Sequence, residues 1–340
     1  MPAALILDCE SARPTSDERA LFRDADPWGF ILFARHCQSA EDVRALCSEL
    51  RETVGRNAPV FIDQEGGRVA RMKTPTFPAH PPMAVFGALW RVNPEQAIAA
   101  ARLNAFLLGR LVSDLGVDVD CVPMLDVRQP DADKAVIGDR ALADETEIVT
   151  ALGRAVIEGL IDGGALPVIK HMPGHGRATV DSHHDLPRVA TSREALRAVD
   201  FAPFRTLRHA PIGMTAHVVY EAYDKERCGT MSKTIIDGVI RGEIGFDGLL
   251  VSDDLKMKAL GGPVGERVSR CLAAGVDIAC ACNFSFEEKI EAANAAGQLA
   301  GAAQARADAA LARRRGPVLR AETSRDYERL AAMIAPALVA

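Results

Sequence analysis

Short apolar runs recur along the chain, separated by longer stretches in which apolar residues return at three- and four-residue spacing. The runs occupy residues 4–7, 30–33, 60–62, 117–121, 166–169, 212–215, 249–251 and 276–279, which makes eight candidate strands. The stretches between them, 97–115, 145–160 and 192–207 among them, open on polar residues or proline, and several close on glycine, as helices do. Strand and helix alternating in this way predict a parallel sheet, and eight repeats predict its closure into a single (β/α)8 barrel of the TIM type, fold class α/β. A doubly wound open sheet is the competing architecture. The polar residues favour the barrel, because five strand ends carry groups able to do chemistry: Arg35-His36, Asp63-Gln64-Glu65, Lys170-His171, His217 and Asp253-Asp254. In a barrel these ends converge on one rim, whereas an open sheet spreads them along an edge.

Residues 1–316 are expected to form the barrel catalytic domain, and residues 317–340 a C-terminal packing helix of the same domain. The polar break at Gly316-Pro317 separates the two, and nothing in the tail carries chemistry. The Pro-rich stretch 74–82 is short enough to be a loop over the rim.

Composition narrows the function. At 340 residues, 48% apolar and 25% charged, the chain can bury a sizeable core. Its net charge of −6 is spread without a basic stripe, which argues against nucleic acid as a partner. The eight cysteines are scattered without a Cys-x-x-Cys pair, the N-terminus lacks a basic region before its short apolar run, and no stretch approaches the roughly 18 apolar residues of a membrane span. A cytoplasmic protein, with no membrane association and acting as a monomer, is expected.

Three segments carry candidate chemistry. Four of the eight histidines, His171, His175, His183 and His184, fall between Lys170 and Pro187, where glycines and a proline mark a loop. They can be loop caps, metal ligands, or, for Asp181 and His183, a carboxylate-oriented base. The metal reading ranks below the dyad, because Pro173, Gly174 and Gly176 break the helix that His-x-x-x-His ligation needs. In the second segment, Asp63 can accept paired hydrogen bonds from vicinal sugar hydroxyls and Arg71 can donate others, while Glu65 and Arg68 are expected to pair with each other across the turn. In the third, Asp253 and Asp254 are neighbours on extended chain, so one at most faces the axis and the other is expected to cap the next helix. Spacing does not decide between them.

The runs Asp63-Gln64-Glu65-Gly66-Gly67-Arg68-Val69, Lys170-His171-Met172-Pro173-Gly174-His175-Gly176 with Asp181-Ser182-His183, Met214-Thr215-Ala216-His217-Val218-Val219-Tyr220, and Ser252-Asp253-Asp254-Leu255-Lys256-Met257 resemble, in order, the signature segments of glycoside hydrolase family 3, in particular its bacterial single-domain β-N-acetylhexosaminidases. The resemblance implies a retaining mechanism in which Asp253 is the nucleophile and His183, oriented by Asp181, is the general acid and base. It implies that Asp63, Arg71, Arg140, Lys170 and His171 hold the sugar, and that the substrate is a terminal β-linked N-acetylglucosamine on a peptidoglycan (muropeptide) fragment. A histidine beside an anionic nucleophile also avoids the repulsion between the two carboxylates that glycosidases commonly use. Met172 and Lys256 depart from the usual wording of the motifs, at positions with no proposed chemistry. No cofactor and no metal is implied, since neither a Gly-x-Gly-x-x-Gly nor a P-loop pattern follows a strand. Two rival activities are a phosphorylase on the same site and a Schiff-base lyase or aldolase using Lys170.

Overall fold

Eight parallel strands wind into one barrel: β1 (Ala3–Leu7), β2 (Pro27–Leu32), β3 (Val60–Ile62), β4 (Val119–Asp120), β5 (Leu166–Met172), β6 (Ile212–Thr215), β7 (Leu249–Val251) and β8 (Ala279–Cys280). Each strand pairs with its sequence neighbours, β1 also pairs with β8, and a parallel bridge between Val251 and Ile278 joins β7 to β8 and closes the circle. The structure is a computed structural model and describes residues 1–132, 134, 136–178, 186–257, 260–317 and 324–338. A separate two-stranded ribbon pairs Arg188–Val189 with Val219–Tyr220.

Alternation along each strand builds two cores. Ala4, Ile6, Phe61, Val119, Leu166, Val168, Ile212, Met214, Leu249 and Val251 fill the barrel interior. Their neighbours Leu5, Leu7, Val60, Ile62, Ile169 and Leu250 face the surrounding helices. Fully burying each such side chain contributes roughly 1.5–3 kcal/mol, so a one-residue slip of any strand would exchange the two sets at great cost.

Two strands are shorter than the apolar pattern suggests, for one reason. Asp118 and Asp277 each use a carboxylate oxygen to accept a neighbouring strand's N–H, Val60 N at 2.9 Å and Leu250 N at 2.9 Å, so a side chain stands where the ladder would otherwise continue. β5, by contrast, runs past its expected end and carries Lys170 and His171 on extended chain.

The helices follow their local signals. α1 (Ser16–Ala25) is opened by a Thr15–Glu18 capping box, and Asn93 with Pro94 opens the helix Pro94–Ser113. The last helix, Ser324–Leu338, is tied to the barrel's outer layer by two hydrogen bonds: Gln96 donates to Met333 O at 2.7 Å, and the Tyr327 hydroxyl donates to His80 Nε2 at 3.3 Å. Among the described residues, no helix is long and apolar enough to cross a membrane.

Candidate active site

The inward alternation continues past the strand ends and decides which polar groups reach the axis. Phe61 is followed two residues later by Asp63, Val168 by Lys170, Val251 by Asp253 and Cys280 by Cys282. All four line a pocket of about 430 Å³ at the C-terminal mouth of the barrel. Glu65, Arg68, Arg71, Arg140, His171, His175, Asp254 and Asn283 add to its polar lining, and Ile31, Phe33, Met214 and Met257 supply apolar wall.

One side of the pocket is a network of fixed charge. Lys170 Nζ, 2% exposed, lies 3.1 Å from Asp63 Oδ1 and 2.7 Å from Glu65 Oε1. Arg71 donates to the other Asp63 oxygen at 2.8 Å, and Arg140 forks onto Glu65 at 2.7 and 2.9 Å. Burial pushes both carboxyls up, but Lys170 and Arg71 hold Asp63 well below the carboxylate range, and Arg140 and Lys170 hold Glu65 at about 2. Burial disfavours charge on Lys170 too, yet the two carboxylates keep it above the ordinary lysine value. With Asp63 and Glu65 both within reach of its Nζ, Lys170 is placed as a hydrogen-bond donor, which weighs against the lyase or aldolase rival that needs it as a free amine.

The expected Glu65–Arg68 pair is not formed. Gly66 and Gly67 adopt left-handed φ values of 96° and 57°, and a Cβ on Gly66 would lie 2.5 Å from Pro81 O. The tight reversal they allow turns Arg68 outward, where it pairs with Asp139 at 2.8 Å, and leaves Glu65 inside with Arg140 and Lys170. Gln64 secures the returning strand: its Oε1 accepts from Arg71 N and Met72 N, each at 2.9 Å, which places Arg71 over Asp63.

Opposite this network lies a carboxylate–imidazole pair. Asp126, fully buried, is 2.7 Å from His171 Nδ1 and accepts from His175 N at 2.6 Å. It thereby fixes the proton on His171 Nδ1 and aims the ring, a job for which its place after an apolar run gave no distinctive signal. Burial lowers His175 to about 4, so its ring is neutral, and among the described residues its buried Nδ1 has no hydrogen-bond partner. The Lys170–His171 peptide bond is cis.

Asp253 faces both groups. Burial raises its pKa, but His171, His217, the Asp254 N–H at 2.8 Å and Lys170 outweigh that and keep it below its ordinary value, hence ionised. Among the described residues Asp254 caps no α-helix: its Oδ1 accepts from Lys256 N at 2.8 Å in a turn, and the next described α-helix, Val264–Ala274, starts well beyond it. Burial lifts Asp254 to about 6.

Not every strand-end group joins the pocket. Arg35 ion-pairs with Asp8 and donates to Asn283 Oδ1 at 3.0 Å, while His36 is buried against Phe33 N at 2.8 Å and Cys9 O at 2.9 Å. His217 sits behind the wall. Asp181, His183 and His184 lie outside the described residues. Among the described residues, no group of three or more His, Cys, Asp and Glu is disposed to hold a metal ion, and all eight cysteines are free and buried.

Residues 5–314 match the family model described as glycosyl hydrolase family 3 N terminal domain. The chain belongs to glycosyl hydrolase family 3. A beta-hexosaminidase of Alkalilimnicola ehrlichii is 38% identical over 283 residues, 82% of this chain and 80% of the relative, and one of Thiobacillus denitrificans is 35% identical over 82% and 78%. Among solved structures, native NagZ from Neisseria gonorrhoeae superposes with a TM-score of 0.87 at 29% identity, covering 99% of this chain and 98% of that one. The family's barrel is thus the fold observed here, and the pocket at its mouth is the active site expected of a glycoside hydrolase. Asp63, Arg71, Arg140, Lys170, His171 and Asp253, six positions singled out in the sequence, all line this family 3 pocket. Asp126, which holds His171, and Asn283 had no role in the sequence reading, which gave Glu65 only Arg68 as a partner and His175 only the choice of loop cap or metal ligand.

Proposed function

We propose that this chain is a retaining β-N-acetylhexosaminidase that releases terminal β-linked N-acetylglucosamine from peptidoglycan fragments, with Asp253 as nucleophile. The observation that carries the reading is an ionised carboxylate on the barrel axis, facing a preformed set of hydrogen-bonding groups. The names of the relatives and of the solved structure support the hexosaminidase activity; the peptidoglycan substrate rests on the sequence resemblance.

In the first step an Asp253 oxygen attacks the anomeric carbon as the glycosidic oxygen leaves with a proton from His183. In the second, His183 takes a proton from water, which displaces the carboxylate from the sugar, so two inversions give net retention. Asp181 would hold the imidazole in the tautomer this needs. Asp63 accepts from sugar hydroxyls while Lys170, Arg71, Arg140 and His171 donate. Because Asp63 and Glu65 already offset these cations, the site is fixed before substrate arrives and little reorganisation remains. We read residues 317–340 as part of the same catalytic unit, acting as a monomer in the cytoplasm with no cofactor.

The test is turnover of an aryl N-acetyl-β-glucosaminide by the native protein, Asp253→Ala and His183→Ala, with the matching β-glucoside as control. Selective cleavage of the N-acetyl substrate with retained anomeric configuration supports the proposal. Absence of turnover on both sugars refutes it, and a rate that requires inorganic phosphate, with a sugar 1-phosphate as product, would assign a phosphorylase.

A further inference from the structure

His217 is fully buried just past β6, outside the pocket wall, and its surroundings are polar in an ordered way. Its Nε2 lies 3.0 Å from the main-chain oxygen of Asp254. A carbonyl oxygen only accepts, so Nε2 carries a proton. The Thr230 hydroxyl donates to Ala216 O at 3.2 Å, and its oxygen, 2.7 Å from Nδ1, accepts from the ring. Thr230 Oγ1 is in turn 2.7 Å from Thr215 Oγ1, which donates to it. Buried hydroxyls are costly unless paired, and here Thr230 accepts from both Thr215 and the imidazole and gives its own proton to Ala216 O, while Nε2–H goes to the Asp254 carbonyl.

The residue at the end of that chain is the one that orients Asp253. Asp254 offers its C=O to His217 and its N–H to Asp253 Oδ1, at 2.8 Å. Rotation of the backbone at Asp254 would therefore break both bonds and turn the Asp253 carboxylate. We propose that His217 is a positioning residue for the nucleophile, with Thr230 and Thr215 fixing the ring tilt that lets it grip Asp254. The proposal rests on the reading of Asp253 as nucleophile. It also accounts for a strand-end histidine that neither lines the pocket nor caps a helix.

Glutamine and asparagine separate this role from packing. A glutamine amide nitrogen reaches the place of Nε2 and can still donate to Asp254 O, whereas asparagine reaches only the place of Nδ1. With an aryl N-acetyl-β-glucosaminide, His217→Asn should lower kcat by about 10²-fold, the loss that follows a displacement on the order of 1 Å, with KM changed by less than about threefold. His217→Gln should recover most of that loss, and Thr230→Val, which removes the acceptor of Nδ1–H while keeping the branched shape, should lower kcat by about 10-fold. Near-native kcat in both His217→Asn and Thr230→Val overturns the proposal, as does an equal loss in His217→Asn and His217→Gln. Should His217→Asn not fold, Thr230→Val and His217→Gln still decide it: a Thr230→Val protein with native kcat, or a folded His217→Gln protein as inactive as Asp253→Ala, overturns it. Asp253→Ala in the same assay keeps the two ideas distinct, because full activity there removes the nucleophile assignment itself, whereas loss there with native His217 and Thr230 variants removes only the positioning role.

Discussion

Carboxylates wholly or largely withdrawn from solvent and paired with cations occur at both ends of the barrel, and the two ends use them differently. At the N-terminal end, Asp118 accepts from Val60 N, Arg51 at 2.7 Å and Arg314 at 2.8 Å, and Asp277 accepts from Leu250 N, Arg241 at 2.8 Å and Arg306 at 2.6 Å. Each precedes a strand and closes it against its neighbour. At the C-terminal end, Asp63 and Glu65 follow a strand and are paired as completely, but their cations border an open pocket of about 430 Å³. Asp253 beside them accepts, among the described residues, only the Asp254 N–H. Buried paired charge by itself does not mark an active site. What marks this one is a carboxylate left ionised with unused acceptor capacity, next to groups already fixed and facing a space that a ligand can fill.

The comparison can be broken first at Asp253. Asp253→Ala should lower kcat by about 10⁴-fold or more with the thermal midpoint unchanged or higher, as steady-state kinetics and calorimetry would show. Retained activity would move the nucleophile to Asp254. Lys170→Met should act on both function and stability, because it leaves Asp63 and Glu65 sharing one cation fewer. Breaking a buried pair of this kind costs about 3–5 kcal/mol, and kcat/KM should fall by about 10²-fold or more.

At the other end, Asp277→Asn should destabilise the fold by about 3 kcal/mol by stranding Arg241 and Arg306, with kcat/KM per folded molecule unchanged. A specific loss of activity in that variant would erase the distinction between the two ends.

The smallest effects lie in pH dependence. Glu65, at about 2 in the fold, contributes stability that is complete above the unfolded value near 4.3 and lost as pH falls through that window. Asp254 acts in the opposite sense. Raised to about 6, it makes the folded state hold more protons than the unfolded chain between roughly 3.9 and 6, so stability falls as pH rises across that range. Asp254→Asn should remove that slope and raise the midpoint above pH 6 by a few degrees, read from melting curves between pH 4 and 7.

The barrel was legible because alternation and helical spacing are local. Val60–Ile62, Ile212–Thr215 and Leu249–Val251 coincide with their apolar runs. The strands beside Asp118 and Asp277 were misjudged because a side-chain oxygen can replace a backbone acceptor, and apolar patterning is blind to that. Asp63, Lys170 and Asp253 were legible by continuing the inward alternation of their strands. Glu65 was misread because its natural sequence neighbour, Arg68, is not its neighbour in space: its partners Arg140 and Lys170 lie 75 residues and more away along the chain. Asp126 had no local signature at all, since what distinguishes it is the His171 imidazole and the His175 N–H, 45 and 49 residues on, that it meets in the fold.

The sequence by itself determined the number of barrel strands and their alternation with helices, the rim on which chemistry collects and the residue types available there, because each depends on a few neighbouring residues and the period of their side chains. Which carboxylate pairs with which cation, which histidine is aimed and by what, and which acid stays ionised were decided only when barrel closure brought distant strand ends within hydrogen-bond reach. Charge pairing and desolvation depend on distance through space, and the order of residues along the chain does not encode that distance.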